Sequence, residues 1–142
     1  MQTFLPYPDF AASAKALDRA RLGKQRVEAV QILKALHVGS GWVHHPAVKM
    51  WEGFEHALVE YLGAMCDEWV ARGFDNTKCG EHLAYWRGRY SGPYDLPPWL
   101  GDEEFHASHR RKLAWKLPEH YTPIFGIVVD DEPAYVWPKA AA

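Results

Sequence analysis

Four polar side chains, Asp18, Arg21, Gln25 and Glu28, follow one another at steps of three, four and three. On a helix that spacing lines them along one continuous face. Two acids, an arginine and an amide there describe either a solvated surface or the floor of a site. Arg19 and Arg26 flank the stripe seven residues apart, and Lys24 lies near Glu28. A row of guanidinium and ammonium groups on one helix is suited to clamp phosphates. In the functional reading, the bases hold a phosphodiester while a carboxylate acts on it or on its sugar. Glu28 is the favoured carboxylate because it shares the stripe with Arg21 and Gln25, and Asp18 is the second candidate.

Two histidine pairs add imidazoles, His44-His45-Pro46 and His106-x-x-His109. Histidines at i and i+3 can ligate a metal, but no carboxylate or cysteine is spaced to complete a set, so no metal is expected. One histidine of each pair is expected to pack against aromatic residues and the other to donate to a polar ligand. His44, His45 and His109 are therefore candidate ligand contacts. The run "SHRRKLAWK", Ser108 to Lys116, reads either as an ordinary basic last turn or as a second phosphate-contacting edge, with Arg110 and Lys112 its candidates. No P-loop, GxSxG, GxGxxG or HExxH occurs. The usual nucleotide-binding, hydrolase and zincin chemistries are thereby set aside.

The elements that must carry these residues are helical. Asp9 is placed to cap a short helix through about Leu17, and Asp18 to cap a second one with Leu22, Ala29, Leu33 and Leu36 as its apolar stripe. Two glycines in "HVGSGW" end it. From Pro46 the residues Trp51, Phe54, Leu58, Tyr61, Leu62, Met65 and Trp69 recur at helical steps, predicting one long helix that stops at Gly73. Residues 74–101 read as mostly irregular, with a short helix around Glu81–Arg87. Asp102 caps a last helix, acids first and bases later, and Pro118 closes it. The expected class is all-α: one compact domain over residues 1–138, about three main helices with long aromatic-rich loops. Residues 139–142 read as a disordered tail or cloning scar.

With 142 residues, 48% of them apolar, the chain is long enough to bury a real core. Its seven Trp, seven Tyr and six Phe let few elements share that core. The start MQTFLPYPDF is no signal peptide and no apolar run reaches membrane length, so a cytoplasmic monomer with no membrane contact is expected. Cys66 and Cys79, without a CxxC, read as free thiols. The net charge of −2 argues against a non-specific, strongly basic nucleic-acid binder. Its distribution is uneven, with balances of +4 over residues 1–50, −7 over 51–105 and +1 over 106–142. One anion-binding face and an acidic back are compatible with that pattern.

Three segments carry a resemblance. "HPAVKMWEGFEHALVEYLGAMCDEWVARGF" is similar to the central helix of the pyrimidine dimer DNA glycosylases, the small phage and bacterial repair enzymes also called phage-type endonuclease V. The matching residues are His45, Asp67 or Glu68, and Arg72-Gly73-Phe74. Gly101 to Gly126 resembles the family's late segment, and Arg26-Val27 an Arg-Val pair in its second helix. The resemblance spans most of residues 2–126. It implies a three-helix single domain, double-stranded DNA as partner, no cofactor and a bacterial or phage setting. It also implies the N-terminal α-amine, here Met1, as nucleophile on the sugar of a damaged nucleotide, followed by β-elimination. An α-amine suits that role because its ordinary pKa, about 7.7–8.0, leaves part of it neutral at physiological pH. The arginines around it grip phosphates and a base is flipped from the duplex.

Two positions depart from the family pattern. The family's catalytic glutamate sits three residues before the Arg-Val pair, where this chain has Gly23. Family members also expose a small second residue once Met1 is removed, whereas Gln2 is bulky, so Met1 is expected to stay. The leading expectation is a glycosylase, with or without the lyase step, for a damaged or modified pyrimidine. The alternatives are an enzyme of the same fold that processes or installs a hypermodified base, with Lys24 or a histidine replacing the imine chemistry, and a non-catalytic DNA-binding module.

Overall fold

A computed structural model describes residues 1–39 and 41–138. The tail and scar expected at residues 139–142 lie outside the described residues. Every regular element among them is helical: α1 (Phe10–Ala16), α2 (Arg19–Val38), a 3-10 turn (Gly41–His44), α3 (Pro46–Lys49), α4 (Glu55–Ala71), α5 (Thr77–Arg87), α6 (Glu103–Lys116) and α7 (Pro118–Phe125). The three aspartate caps are in place. Asp9, Asp18 and Asp102 each accept a bond from a backbone N–H in the first turn of α1, α2 and α6.

Two helix boundaries differ from expectation. The long helix predicted from Pro46 is split, because the chain turns over residues 50–53 and Gly53 takes φ +85°, a conformation that favours glycine. The turn leaves Trp51 wholly buried, its indole N–H donating to Thr3 Oγ1 at 3.1 Å. Pro118 does not end the helical run either. Leu117 breaks it at φ −143°, ψ 72°, and Pro118 opens α7 at a first-turn position where its missing N–H has no partner to lose.

The core forms where α2 and α1 pack on α4, with α6 and α7 packed on each other. Leu22, Ile32 and Leu33 of α2 meet Leu58, Leu62 and Met65 of α4, all fully buried. Each such side chain contributes about 1.5–3 kcal/mol through burial. Gly23 permits the close approach of the two helices: a Cβ there would stand 3.2 Å from two ring atoms of Trp69. Arg72 of the "RGF" run serves the fold. It donates to the carbonyls of Ala14, Lys15 and Leu17 at 3.2, 3.2 and 2.7 Å, closing the C-terminal end of α1. Beyond α7 the chain returns along α6 without regular structure. Lys112 donates to Glu132 and to the Pro133 carbonyl, and Val136 N–H to Ser108 Oγ. Cys66 and Cys79 are buried and unbonded. Among the described residues no helix is long and apolar enough to cross a membrane.

Candidate active site

Residues 2–5 are buried yet belong to no helix or sheet, so their peptide groups need other partners. Side chains from α2, α4 and α6 supply them. Phe4 N–H donates to Gln25 Oε1 at 2.9 Å, and Gln25 Nε2 donates back to the Gln2 carbonyl at 3.0 Å. Tyr61 Oη lies 2.9 Å from the Phe4 carbonyl and 2.6 Å from Gln25 Oε1, with one proton for the two acceptors. Leu5 is held at both ends: its N–H donates to His109 Nδ1 at 2.9 Å, and its carbonyl accepts from His106 Nδ1 at 2.8 Å. Thr3 N–H donates to Gln2 Oε1. The chain start is thus fixed from three helices.

The tautomers follow from these bonds. Gly101 N–H donates to His106 Nε2, which leaves the His106 proton on Nδ1 for Leu5. His109 accepts at Nδ1, so its proton lies on Nε2, which is buried without a partner. Burial, with neighbouring His106 adding to it, pushes the His109 pKa down to about 3. Burial also lowers His106, against its bond to Leu5. Both rings are neutral clamps on Leu5.

This clamp delivers Gln2 N–H to Glu28, 3.3 Å from Oε2. The Met1 α-amine lies one residue further on, within roughly 7 Å of the same carboxylate. Glu28 Oε2 also accepts from Gln25 Nε2 at 2.9 Å, which fixes the carboxylate on the face of α2 that meets the chain start. Met1, Arg21, Lys24, Glu28, Lys116 and Tyr135 border a cavity of about 440 Å³. Burial raises the Tyr135 hydroxyl to about 12, opposed by its bond to the Gln2 side chain, so it stays a neutral phenol. His45 is close enough to feel both charges: burial and then the terminal ammonium lower its pKa, while Glu28 raises it. Its Nδ1 accepts from Ala47 N–H at 3.0 Å and caps α3, leaving the neutral ring with a proton on Nε2. Two larger hollows, about 500 Å³ beside α1 and α4 and about 730 Å³ between α2 and α5, are not bordered by Met1 or Glu28.

The N-terminal residue, a helix carboxylate and a cluster of cations thus border one hollow, the kinds of group from which a nucleophile, a proton-transfer group and an anion grip can be drawn. Residues 1–79 match the family model of the pyrimidine dimer DNA glycosylases. The chain belongs to this family. The matched part carries the clamped start, Glu28 and His45; the remainder, including Gly101–Gly126, lies outside it. No curated protein and no solved structure matches the chain.

The glycosylase-family register gives Gly23 its meaning. Position 23 faces Trp69 across the α2–α4 contact, while Gln25 and Glu28 face the chain start. A carboxylate at position 23 would point away from Met1. Asp18 is the α2 cap: it accepts from Arg21 N–H, Arg21 Nη1 and the Tyr121 hydroxyl. Burial alone would raise its pKa, but the Tyr121 bond, then the charge and bonds of Arg21, outweigh it and hold the carboxyl below the usual range.

Two of the expected contacts are engaged within the protein. His109 is completely buried and its ring serves Leu5, and Gln25 is completely buried with both ends of its amide bonded internally. Burial closes His109 off from the surface, whereas Gln25 borders the cavity with Met1 and Glu28. Several cations are also engaged by neighbouring side chains or backbone. Arg26 stacks over Trp69 at 4.0 Å and donates to Asn76, and Arg19 lies over Phe74 at 4.6 Å. Arg110 bonds the Pro6 carbonyl and Glu103, and Lys112 bonds Glu132. Lys24 and His44 are exposed. Lys116 and Tyr135 were not among the sequence candidates; the "SHRRKLAWK" run and the aromatic tail held their signal, but only the docking of α6 brings them to Met1.

Proposed function

We propose that this chain is a DNA glycosylase that excises a damaged or modified pyrimidine from double-stranded DNA, with Met1 as nucleophile and Glu28 as its carboxylate partner. The observation that carries the reading is the buried clamp on residues 2–5. Buried polar networks of this size are not needed to end a chain, and this one holds Gln2 N–H on Glu28 at a cationic hollow that Met1 also borders. The neutral amine attacks C1′ of the target nucleotide and the base departs. Glu28 serves the opening sugar, and loss of the C2′ proton then cuts the 3′ C–O bond. Arg21 and Lys24 grip the flanking phosphates, and His45 Nε2–H and His44 offer further donors at the edge. The position of Gly23 against Trp69 favours a carboxylate elsewhere on α2.

The experiment compares the unmodified chain with one carrying four additional residues before Met1, on duplexes bearing a cyclobutane pyrimidine dimer or another modified pyrimidine. The extension withdraws the α-amine from the hollow. Base release should fall at least about 100-fold, the scale of losing a positioned catalytic group. Equal release by both chains would overturn the role of Met1, and no release by either would overturn the glycosylase reading for those lesions.

A further inference from the structure

Lys116 is the last residue of α6 and borders the same cavity as Met1 and Glu28. Among the described residues no carboxylate lies within 4.0 Å of its ammonium. Its neighbours are cations and an aromatic ring: Nζ lies 5.9 Å from the centre of Phe4, a residue of the clamped start, and Arg21 and Lys24 share the cavity. We propose that Lys116 is a second imine-forming amine, giving the protein a lyase activity on abasic DNA that does not require the N-terminus. The proposal rests on the glycosylase reading for its substrate class, an aldehyde-bearing deoxyribose in DNA, but assigns it to a different atom.

Chemistry and surroundings agree. A lysine becomes nucleophilic when burial or adjacent cations favour its neutral form. Both operate here: burial first, then Arg21, Lys112 and Lys24, lower the Lys116 pKa, with Glu132 opposing. The Nζ lone pair adds to C1′ of the ring-opened sugar, and the aldehyde oxygen leaves as water, forming the C=N bond. Glu28 takes a C2′ proton, the electron pair forms C2′=C3′, and the 3′ C–O bond breaks with its electrons on the departing phosphate. Water then hydrolyses the imine, returning the amine and releasing an unsaturated aldehyde. No oxidant or reductant is consumed.

The test uses an abasic-site duplex, borohydride and four full-length chains: unmodified, extended by four residues before Met1, Lys116→Arg, and both changes together. The extended chain should retain at least half of the borohydride-trapped adduct, and peptide mapping should place the reduced sugar on Lys116. Adding Lys116→Arg to the extended chain should lower trapping at least tenfold, although the positive charge is kept. Loss of trapping on extension alone, or a sugar found only on the Met1 amine, would overturn the proposal while leaving the role of Met1 intact. Failure of base release with normal trapping at Lys116 would instead count against the glycosylase reading alone. No adduct with any chain would overturn both.

Discussion

Tyr61 shares one proton between the Phe4 carbonyl and Gln25 Oε1 inside a fully buried network. Removing that hydroxyl leaves the Phe4 carbonyl without its donor, while Gln25 Oε1 still accepts from Phe4 N–H; a buried unsatisfied group costs about 1–3 kcal/mol. Tyr61→Phe should therefore lose stability of about that size in urea denaturation, and turnover should fall because the chain start loosens. Unchanged stability and turnover would mean the clamp is incidental. His109 gives a second residue-level expectation. Unfolded, its imidazole takes a proton near pH 6.5; folded, it does so only near about 3. Between those values the unfolded chain binds the extra proton, so stability rises with pH by up to about 1.4 kcal/mol per unit for one such group. His106 and His45 shift the same way. Thermal melts should show Tm falling steadily from pH 7 to 4.5, and less steeply in His109→Asn, whose amide oxygen still accepts from Leu5. A flat profile would contradict a neutral buried clamp.

At the scale of elements, α2 presents one face to α4 and another to the chain start, and residue 23 belongs to the first. Gly23→Glu would drive a side chain into Trp69, which a Cβ alone already approaches to 3.2 Å. Overpacking of this kind costs about 1–3 kcal/mol. The variant should melt lower and show no gain in base release; a gain would place the catalytic face of α2 at position 23. Much of this level was legible in the sequence. The capping aspartates at 9, 18 and 102 are local signals, and the structure uses all three. The breaks at Gly53 and Leu117 were not legible, because helical periodicity records which residues are buried and several backbones bury the same set. Trp51 fits a helical stripe from Pro46, yet it reaches the core from a turn.

Across the whole molecule, the site joins residues that the chain keeps far apart: Leu5 and His109, 104 positions distant, or Met1 and Lys116 in one hollow. That Glu28 and Arg21 share one face of α2 was legible from their spacing, and both border the cavity. The inward turn of Gln25 and the burial of His109 were not, since both depend on how α6 and the chain start dock on the first helices. Charge follows the same logic. Arg26, Arg110 and Lys112 are tied into internal bonds, whereas Arg21, Lys24 and Lys116 border the cavity. Two phosphate contacts, from Arg21 and Lys24, give a slope of log K against log salt near about −1.8 on duplex DNA. A flat dependence would remove DNA as the ligand, and a slope beyond about −5 would require contacts from cations that here are tied to other groups of the protein. The central claim is that the clamped chain start and Glu28 form one catalytic unit. Single-turnover base release by Glu28→Gln tests it most directly, with circular dichroism and DNA affinity measured on the same preparation. The amide keeps an oxygen for Gln2 N–H but cannot take or give the proton as a carboxyl does. The account predicts a folded protein with equal or tighter DNA binding and release slowed at least about 100-fold; release at the unmodified rate would contradict it.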